Sequence, residues 1–357
     1  MHPGWAEIQR IVDDAIARGA ASAASVLVAI DGRVEVEHHT GTTRRWDAPG
    51  RPTAVPGPPV RATTRFDLAS VTKPVVAAAL LTELDARGLS ASLPASRLLP
   101  EFDRPRTRKT TLSHLLSHTA GFAPEWFDRA ADPGARRFRS GPLPKVSDGS
   151  AHLYSCVGYI WAGLAAEALA DAPLDEVVRR RVLEPLGMND TGYRPDASLR
   201  DRIAATEWQP DRGMVHGEVH DETSAALGGV SGNAGLFGTA HDLMRFAEAL
   251  RTGGMLDGER VLAPAVAAAL VTPIDLPDGP DYGQALGPRL GENWMRGLGE
   301  RVAGHTGFTG TAFVTEPGGR YSVVFLANRV HPTRFPDEMR ALRTRVVDRA
   351  VRWRDTE

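Results

Sequence analysis

Residues 66–76 read Phe66-Asp-Leu-Ala-Ser70-Val-Thr-Lys73-Pro74-Val-Val76, a serine and a lysine three positions apart at the start of an apolar run that continues to Arg87. A spacing of three puts both side chains on one helical face. Pro74 is tolerated only in a first turn, so Ser70 is predicted at or next to a helix start. There the unpaired backbone N–H groups and the positive dipole end favour developing negative charge, which suits a nucleophile and its oxyanion. A serine hydroxyl is weak at neutral pH and needs a neighbouring base; Lys73 can serve where burial and nearby positive potential lower its pKa. The plain alternative is a helix-capping serine with an unrelated lysine one turn later. Lysine usage argues against it. Of 42 basic residues only Lys73, Lys109 and Lys145 are lysines, and Lys109 and Lys145 read as surface-loop residues. Burying Lys73 against an apolar helix face costs several kcal/mol unless it is paired or neutral.

Working outward, Pro74–Arg87, Leu112–Ser117, Gly158–Ala170, Leu174–Leu183 and Ala240–Arg251 are rich in alanine and leucine at helical spacing, with Gly or Pro breaks between them. The ends of the chain differ. Trp5, Ile8, Ile11, Val12, Ala15 and Ile16 mark an amphipathic helix closed by Gly19. Ser25–Ile30 and Arg33–His38 then flank Asp31-Gly32, the strongest short hairpin signal. The stretch 42–64 is a long loop rich in Pro, Gly and Arg. Near the other end, Gly310–Thr315 and Arg320–Ala327 flank the turn Glu316-Pro-Gly-Gly319. A helix follows Pro336, with Met339, Leu342, Val346, Val347, Ala350 and Val351 on one stripe. The predicted fold is therefore α+β: one antiparallel sheet with the N- and C-terminal helices packed on it, plus a mostly helical lobe. Residues 1–66 and 252–357 form the discontinuous sheet domain and 67–251 the helical domain, with the site in the cleft between them.

Composition fits this reading. The 357 residues are 42% hydrophobic and 24% charged with a net charge of −2, which excludes disorder as the main state and leaves no electrostatic footprint for nucleic acid or an anionic membrane. No apolar run approaches the roughly 18 residues of a spanning helix. The single cysteine, Cys156, forms no intrachain disulfide, and the first residues lack a basic and then apolar leader pattern, so a cytoplasmic location is expected.

Three further places could carry chemistry. Tyr154-Ser-Cys156 precedes a helix, and a tyrosine beside a cationic lysine can act as general base or proton relay. His305-Thr306-Gly307 enters the C-terminal hairpin among small residues, Gly304 and Gly310, that let a substrate approach the strand edge. His216-Gly-Glu-Val-His220-Asp-Glu222 lacks the order of a helical zinc motif and reads as a loop shaping the pocket rim, so no metal is expected. Cys156 beside an apolar helix reads as inert, and His114 and His118, one turn apart, read as satisfied structural groups.

Taken in order, Ser70-x-x-Lys73, Tyr154-x-Cys156 and His305-Thr-Gly307 before a terminal hairpin and helix resemble the serine β-lactamase and penicillin-binding protein family, in its class C branch of esterases, D-aminopeptidases and transacylases. The flanks Leu115-Leu-Ser-His-Thr-Ala-Gly121 and Leu227-Gly-Gly-Val-Ser-Gly-Asn-Ala-Gly-Leu-Phe-Gly-Thr-Ala240 extend the resemblance over nearly the whole chain. The resemblance implies that Ser70 is the acylated nucleophile, Lys73 its activating partner and Tyr154 a proton relay. It implies an oxyanion hole of the Ser70 and Phe308 amides, with Cys156, His305, Thr306 and Gly307 binding substrate, and no cofactor. Two departures matter. Cys156 stands where relatives carry Asn and supplies no amide donor, and His305 stands where they carry lysine and is a poorer anchor for a carboxylate. The expectation is acyl transfer from a small-molecule ester or amide to water, an amine or an alcohol. A β-lactamase or D-amino-acid peptidase is the nearest rival, and a non-catalytic ligand-binding protein on the same fold is the alternative of another class.

Overall fold

The computed structural model describes residues 3–126, 138, 149, 151–276, 279–334 and 338–351. Lys145 and Pro336, singled out above, lie outside the described residues. In chain order, helix α1 (Pro3–Ala17) leads into strands β1 (Ala23–Ile30) and β2 (Arg33–Gly41). The Asp31-Gly32 turn has φ of 51° and 85°, the left-handed pair that a two-residue hairpin of this twist demands. The stretch 42–64 is mostly loop, with one short ladder of Trp46–Ala48 against Arg51–Pro52.

The middle of the chain is mostly helical: α2 (Thr72–Asp85), α3 (Leu112–Leu116), α4 (Cys156–Ala170), α5 (Leu174–Val178), α6 (Glu222–Ala226) and α7 (Ala240–Arg251). Helix α8 (Pro264–Ala269) precedes strands β3 (Gly283–Gln284), β4 (Arg289–Leu290), β5 (Ala303–Thr306), β6 (Ala312–Thr315) and β7 (Tyr321–Ala327), and α9 (Met339–Val351) follows.

The two ends meet in one seven-stranded antiparallel sheet, ordered β3-β4-β5-β6-β7-β1-β2. β1 pairs with β7 from Ala24 opposite Ala327 to Ile30 opposite Tyr321. Alternation along β1 then separates two cores. Val26 and Val28 face α1 and α9 and pack with Ile8, Val12, Val346 and Val347. Leu27 and Ala29 face the opposite way, into the core that contains α2 and α4. Helix α7, expected with the helical lobe, lies against the sheet instead, its Phe246 edge-on to Phe313 of β6 at 5.6 Å.

Helix α2 is buried on every side from Thr72 to Leu81. A helix in that position must be apolar all round, so its one cation, Lys73, stands out.

Candidate active site

The turn that carries Ser70 is set up by Asp67, whose carboxylate accepts from the Ala69 amide at 2.8 Å and the His220 amide at 2.7 Å. Those bonds hold Ala69 at φ 47°, a left-handed conformation that costs a non-glycine residue ~1–3 kcal/mol. The strained residue turns the chain sharply out of the short strand Phe66–Asp67. A 3₁₀ turn, Ala69–Val71, then runs straight into α2. Ser70 therefore sits at the helix start, as its sequence predicts, and lines a cleft together with Tyr154, Cys156 and Phe308.

Lys73, fully buried one turn on, points its Nζ at Ser70 Oγ (2.8 Å), the Asn233 carbonyl (3.0 Å) and Cys156 Sγ (3.5 Å). Three protons of an ammonium thus find three acceptors. A lowered pKa, the condition under which Lys73 can serve as the base, does not hold here. Burial alone would lower it, but the Cys156 sulfur, the Tyr154 hydroxyl and Asp221 offset that and hold the amine above its ordinary range. The three acceptors and the upward shift both favour the ammonium form. For Cys156, burial pushes the thiol up despite the lysine, so the sulfur stays protonated and is no thiolate nucleophile.

Tyr154 lies just ahead of α4. The chain there is pinned by hydrogen bonds from the Leu153 amide to the His118 carbonyl (2.9 Å) and from the Cys156 amide to the Pro124 carbonyl (2.8 Å). The Ser155 amide donates to His118 Nδ1 at 3.1 Å, and Ser155 Oγ caps the helix at the Gly158 amide. The Tyr154 ring packs on the His118 ring at 4.4 Å, and Lys73 Nζ stands 5.1 Å from its centroid. On its remaining side lies Arg289 of β4, its guanidinium 4.7 Å from the Tyr154 centroid and 5.3 Å from that of Tyr282. The Tyr154 ring is thus flanked by two cationic side chains.

His118 and Arg289 are residues that sequence reasoning missed. His114 does cap its own helix with Thr111, but His118 lies beyond the end of α3 at φ 61° and keeps a buried Nε2 without a hydrogen-bond partner among the described residues. The Leu115–Gly121 flank was its only signal. Arg289 comes from a two-residue strand with no local pattern.

The third wall is the turn after β5. Thr309 Oγ1 donates to the Asp67 carbonyl (2.7 Å) and Thr311 Oγ1 to the Leu68 carbonyl (2.9 Å), which ties residues 307–311 onto the turn that carries Ser70. Gly307 is needed for that approach, because a Cβ there would stand 2.0 Å from Thr311 Oγ1 and 2.5 Å from the Leu68 carbonyl oxygen. Phe308 follows, its ring stacked on His220 at 5.6 Å and under Arg334 at 5.4 Å. Glu207 binds both supports, His220 at 2.9 Å and Arg334 at 2.7 Å. Burial alone would raise the Glu207 carboxyl, but these partners pull it down to about 2. His220 is thus a scaffold for the rim, and His216 instead reaches the Ile203 carbonyl at 2.8 Å, so the two do not converge as metal ligands.

His305 is placed differently from the substrate-binding position expected of it. It is fully buried in β5, its Nδ1 donating to the Thr306 carbonyl at 2.8 Å, while Nε2 has no partner among the described residues. Burial and the nearby Arg289 and Lys73 charges push its pKa well below the ordinary value, so it is neutral. It backs the Tyr154 ring at 6.2 Å instead of presenting a charge to the cleft. Thr306 remains partly exposed at the end of the strand.

The Beta-lactamase family profile matches residues 8–348. The chain belongs to the beta-lactamase family. A relative from Salmonella schwarzengrund named "Putative D-alanyl-D-alanine carboxypeptidase" is 28% identical over 348 residues, spanning 86% of this chain and 78% of the relative. Among solved structures, a class C beta-lactamase superposes with a TM-score of 0.76 at 18% identity, over 100% of this chain and 98% of its own. EstCE1, described as a hydrolase with promiscuous acyltransferase activity, superposes at 0.75 with 23% identity, over 97% and 98%. At these identities the structural likeness establishes the beta-lactamase fold. Among the described residues no helix of this family member is long and apolar enough to cross a membrane.

Proposed function

We propose that the chain is a serine acyl-enzyme hydrolase or acyltransferase acting on a small-molecule ester or amide. The observation that carries this reading is the 2.8 Å bond from the fully buried Lys73 Nζ to Ser70 Oγ, which lines a cleft. Ser70 Oγ attacks the carbonyl carbon. Lys73 already holds its protons against Ser70, Asn233 and Cys156, so it stabilises the developing alkoxide by charge and does not take the proton. Tyr154 takes the Ser70 proton while passing its own to the leaving group, which departs neutral. The carbonyl oxygen, anionic in the tetrahedral intermediate, is met by the Ser70 and Phe308 amides. Water, an alcohol or an amine then attacks the acyl-enzyme by the reverse relay.

Two features favour esters over β-lactams and peptides. Cys156 carries a protonated thiol where an amide donor would bind a substrate amide, and the neutral, buried His305 offers no cation to a substrate carboxylate. The promiscuous acyltransferase activity ascribed to EstCE1 supports the acyltransfer side of this reading, and the name of the Salmonella relative supports the peptidase rival.

Steady-state rates on p-nitrophenyl acetate and on a chromogenic cephalosporin separate the two. The expected kcat/KM is at least about 100-fold higher for the ester, equivalent to about 2.7 kcal/mol of transition-state preference. A higher value for the cephalosporin would overturn the ester preference, and turnover of neither would overturn the enzyme reading.

A further inference from the structure

A second group of polar side chains lies outside the cleft, where strand β2 meets the start of α7. Glu37 and His39 are two residues apart on β2 and so point to one face of the sheet. They stand opposite Leu27 and Ser25 of β1 and face the side covered by α7. His38, between them, points to the other face and binds Asp13 of α1 at 2.8 Å. From α7 comes His241, in the first turn behind the Thr239 cap.

Both imidazoles converge on the same carboxylate oxygen: His39 Nε2 lies 2.8 Å and His241 Nε2 2.9 Å from Glu37 Oε1. The three atoms all lie within 4.8 Å of one another. His39 is oriented from behind, its Nδ1 3.0 Å from the hydroxyl of buried Ser25. An outer hydrogen bond of this kind fixes ring orientation in metal-ligating histidines.

We propose that Glu37, His39 and His241 form a binding site for a divalent transition-metal ion of the zinc class. Two imidazole nitrogens and one carboxylate oxygen suit such an ion, whereas calcium and magnesium take oxygen ligands throughout. Ligand atoms at ~2.0–2.2 Å around a tetrahedral ion stand roughly 3.3–3.6 Å apart, so the two contacts need to open by only about half an ångström. The ring proton of His39 moves from Nε2 to Nδ1, where it donates to Ser25 Oγ, and Nε2 gives its lone pair to the ion. His241 shifts its ring proton likewise. The positive end of the α7 dipole opposes a cation here, and the Glu37 carboxylate supplies the offsetting charge. Three protein ligands leave a fourth position for water. The bound ion ties the last strand of the sheet to α7, on residues that take no part in lining the Ser70 cleft.

Calorimetric titration of Zn²⁺ into chelator-stripped protein tests this directly. The expected isotherm saturates at one ion per chain. His241→Ala, a change at a half-exposed side chain that leaves the fold intact, is expected to weaken binding at least tenfold, since loss of even an outer-shell partner costs 10–100-fold. His39→Ala is expected to act alike, while His38→Ala on the opposite face leaves the affinity unchanged. Saturating Zn²⁺ is expected to raise the thermal midpoint of the wild-type chain and not that of His241→Ala. No saturable binding, or equal affinity in His241→Ala, would overturn the proposal.

Discussion

Lys73→Met is expected to lower kcat/KM for p-nitrophenyl acetate by about a hundredfold to a thousandfold while leaving the fold in place, the usual loss when one preorganised electrostatic donor is removed. At 1.36 kcal/mol per tenfold this is about 2.7–4 kcal/mol of lost transition-state stabilisation. The ammonium lies 2.8 Å from the attacking oxygen in a site removed from water, where a charge acts far more strongly than at a surface. Methionine fills nearly the same volume. It leaves the Asn233 carbonyl and Cys156 without their donor, but it also removes a desolvated charge, and such exchanges are often neutral for stability. Circular dichroism and the thermal midpoint of the variant check that the loss is chemical. Wild-type kcat/KM in a folded Lys73→Met protein would mean that Ser70 is activated by another group.

Gly307→Ala carries the second large effect, expected to appear in kcat more than in KM. The new Cβ would stand 2.0 Å from Thr311 Oγ1, 2.5 Å from the Leu68 carbonyl oxygen and 3.3 Å from Ala69 Cβ. Backbone must give way, because Leu68 and Ala69 belong to the nucleophile turn itself. The Phe308 amide then moves off the oxyanion position, and losing one such donor costs about 10²–10³ in kcat, or roughly 2.7–4 kcal/mol. Overpacking of this kind also destabilises by about 1–3 kcal/mol, read from the denaturant midpoint. An interaction made only in the transition state leaves KM nearly unchanged when lost. Full activity in Gly307→Ala would place the oxyanion donors elsewhere.

Much of this architecture is legible in the sequence because it is local. Asp31-Gly32 and Glu316–Gly319 announce their hairpins by turn chemistry, and the stripes in α1 and α9 announce their buried faces. That both hairpins share one sheet follows from matching ends, and β1 does pair with β7. What escapes is non-local. Arg289 reaches Tyr154 only because the sheet sets β4 beside β5, with Arg289 opposite Gly304, and two residues of strand leave no periodic mark. His118 and Asn233 act through a ring stack and a carbonyl that depend on where two loops meet. The protonation of Lys73 escapes for the same reason. Its burial is inferable from the apolar run, but the sulfur, the hydroxyl and the carboxylate that outweigh burial come from three other segments.

The central claim is a covalent acyl intermediate on Ser70. Intact-protein mass spectrometry after brief mixing with activated esters, followed by peptide mapping, tests it most directly. The expected result is a single acyl adduct on the peptide containing Ser70, absent in Ser70→Ala. An adduct that persists in Ser70→Ala, or one mapped to Cys156, would contradict the account.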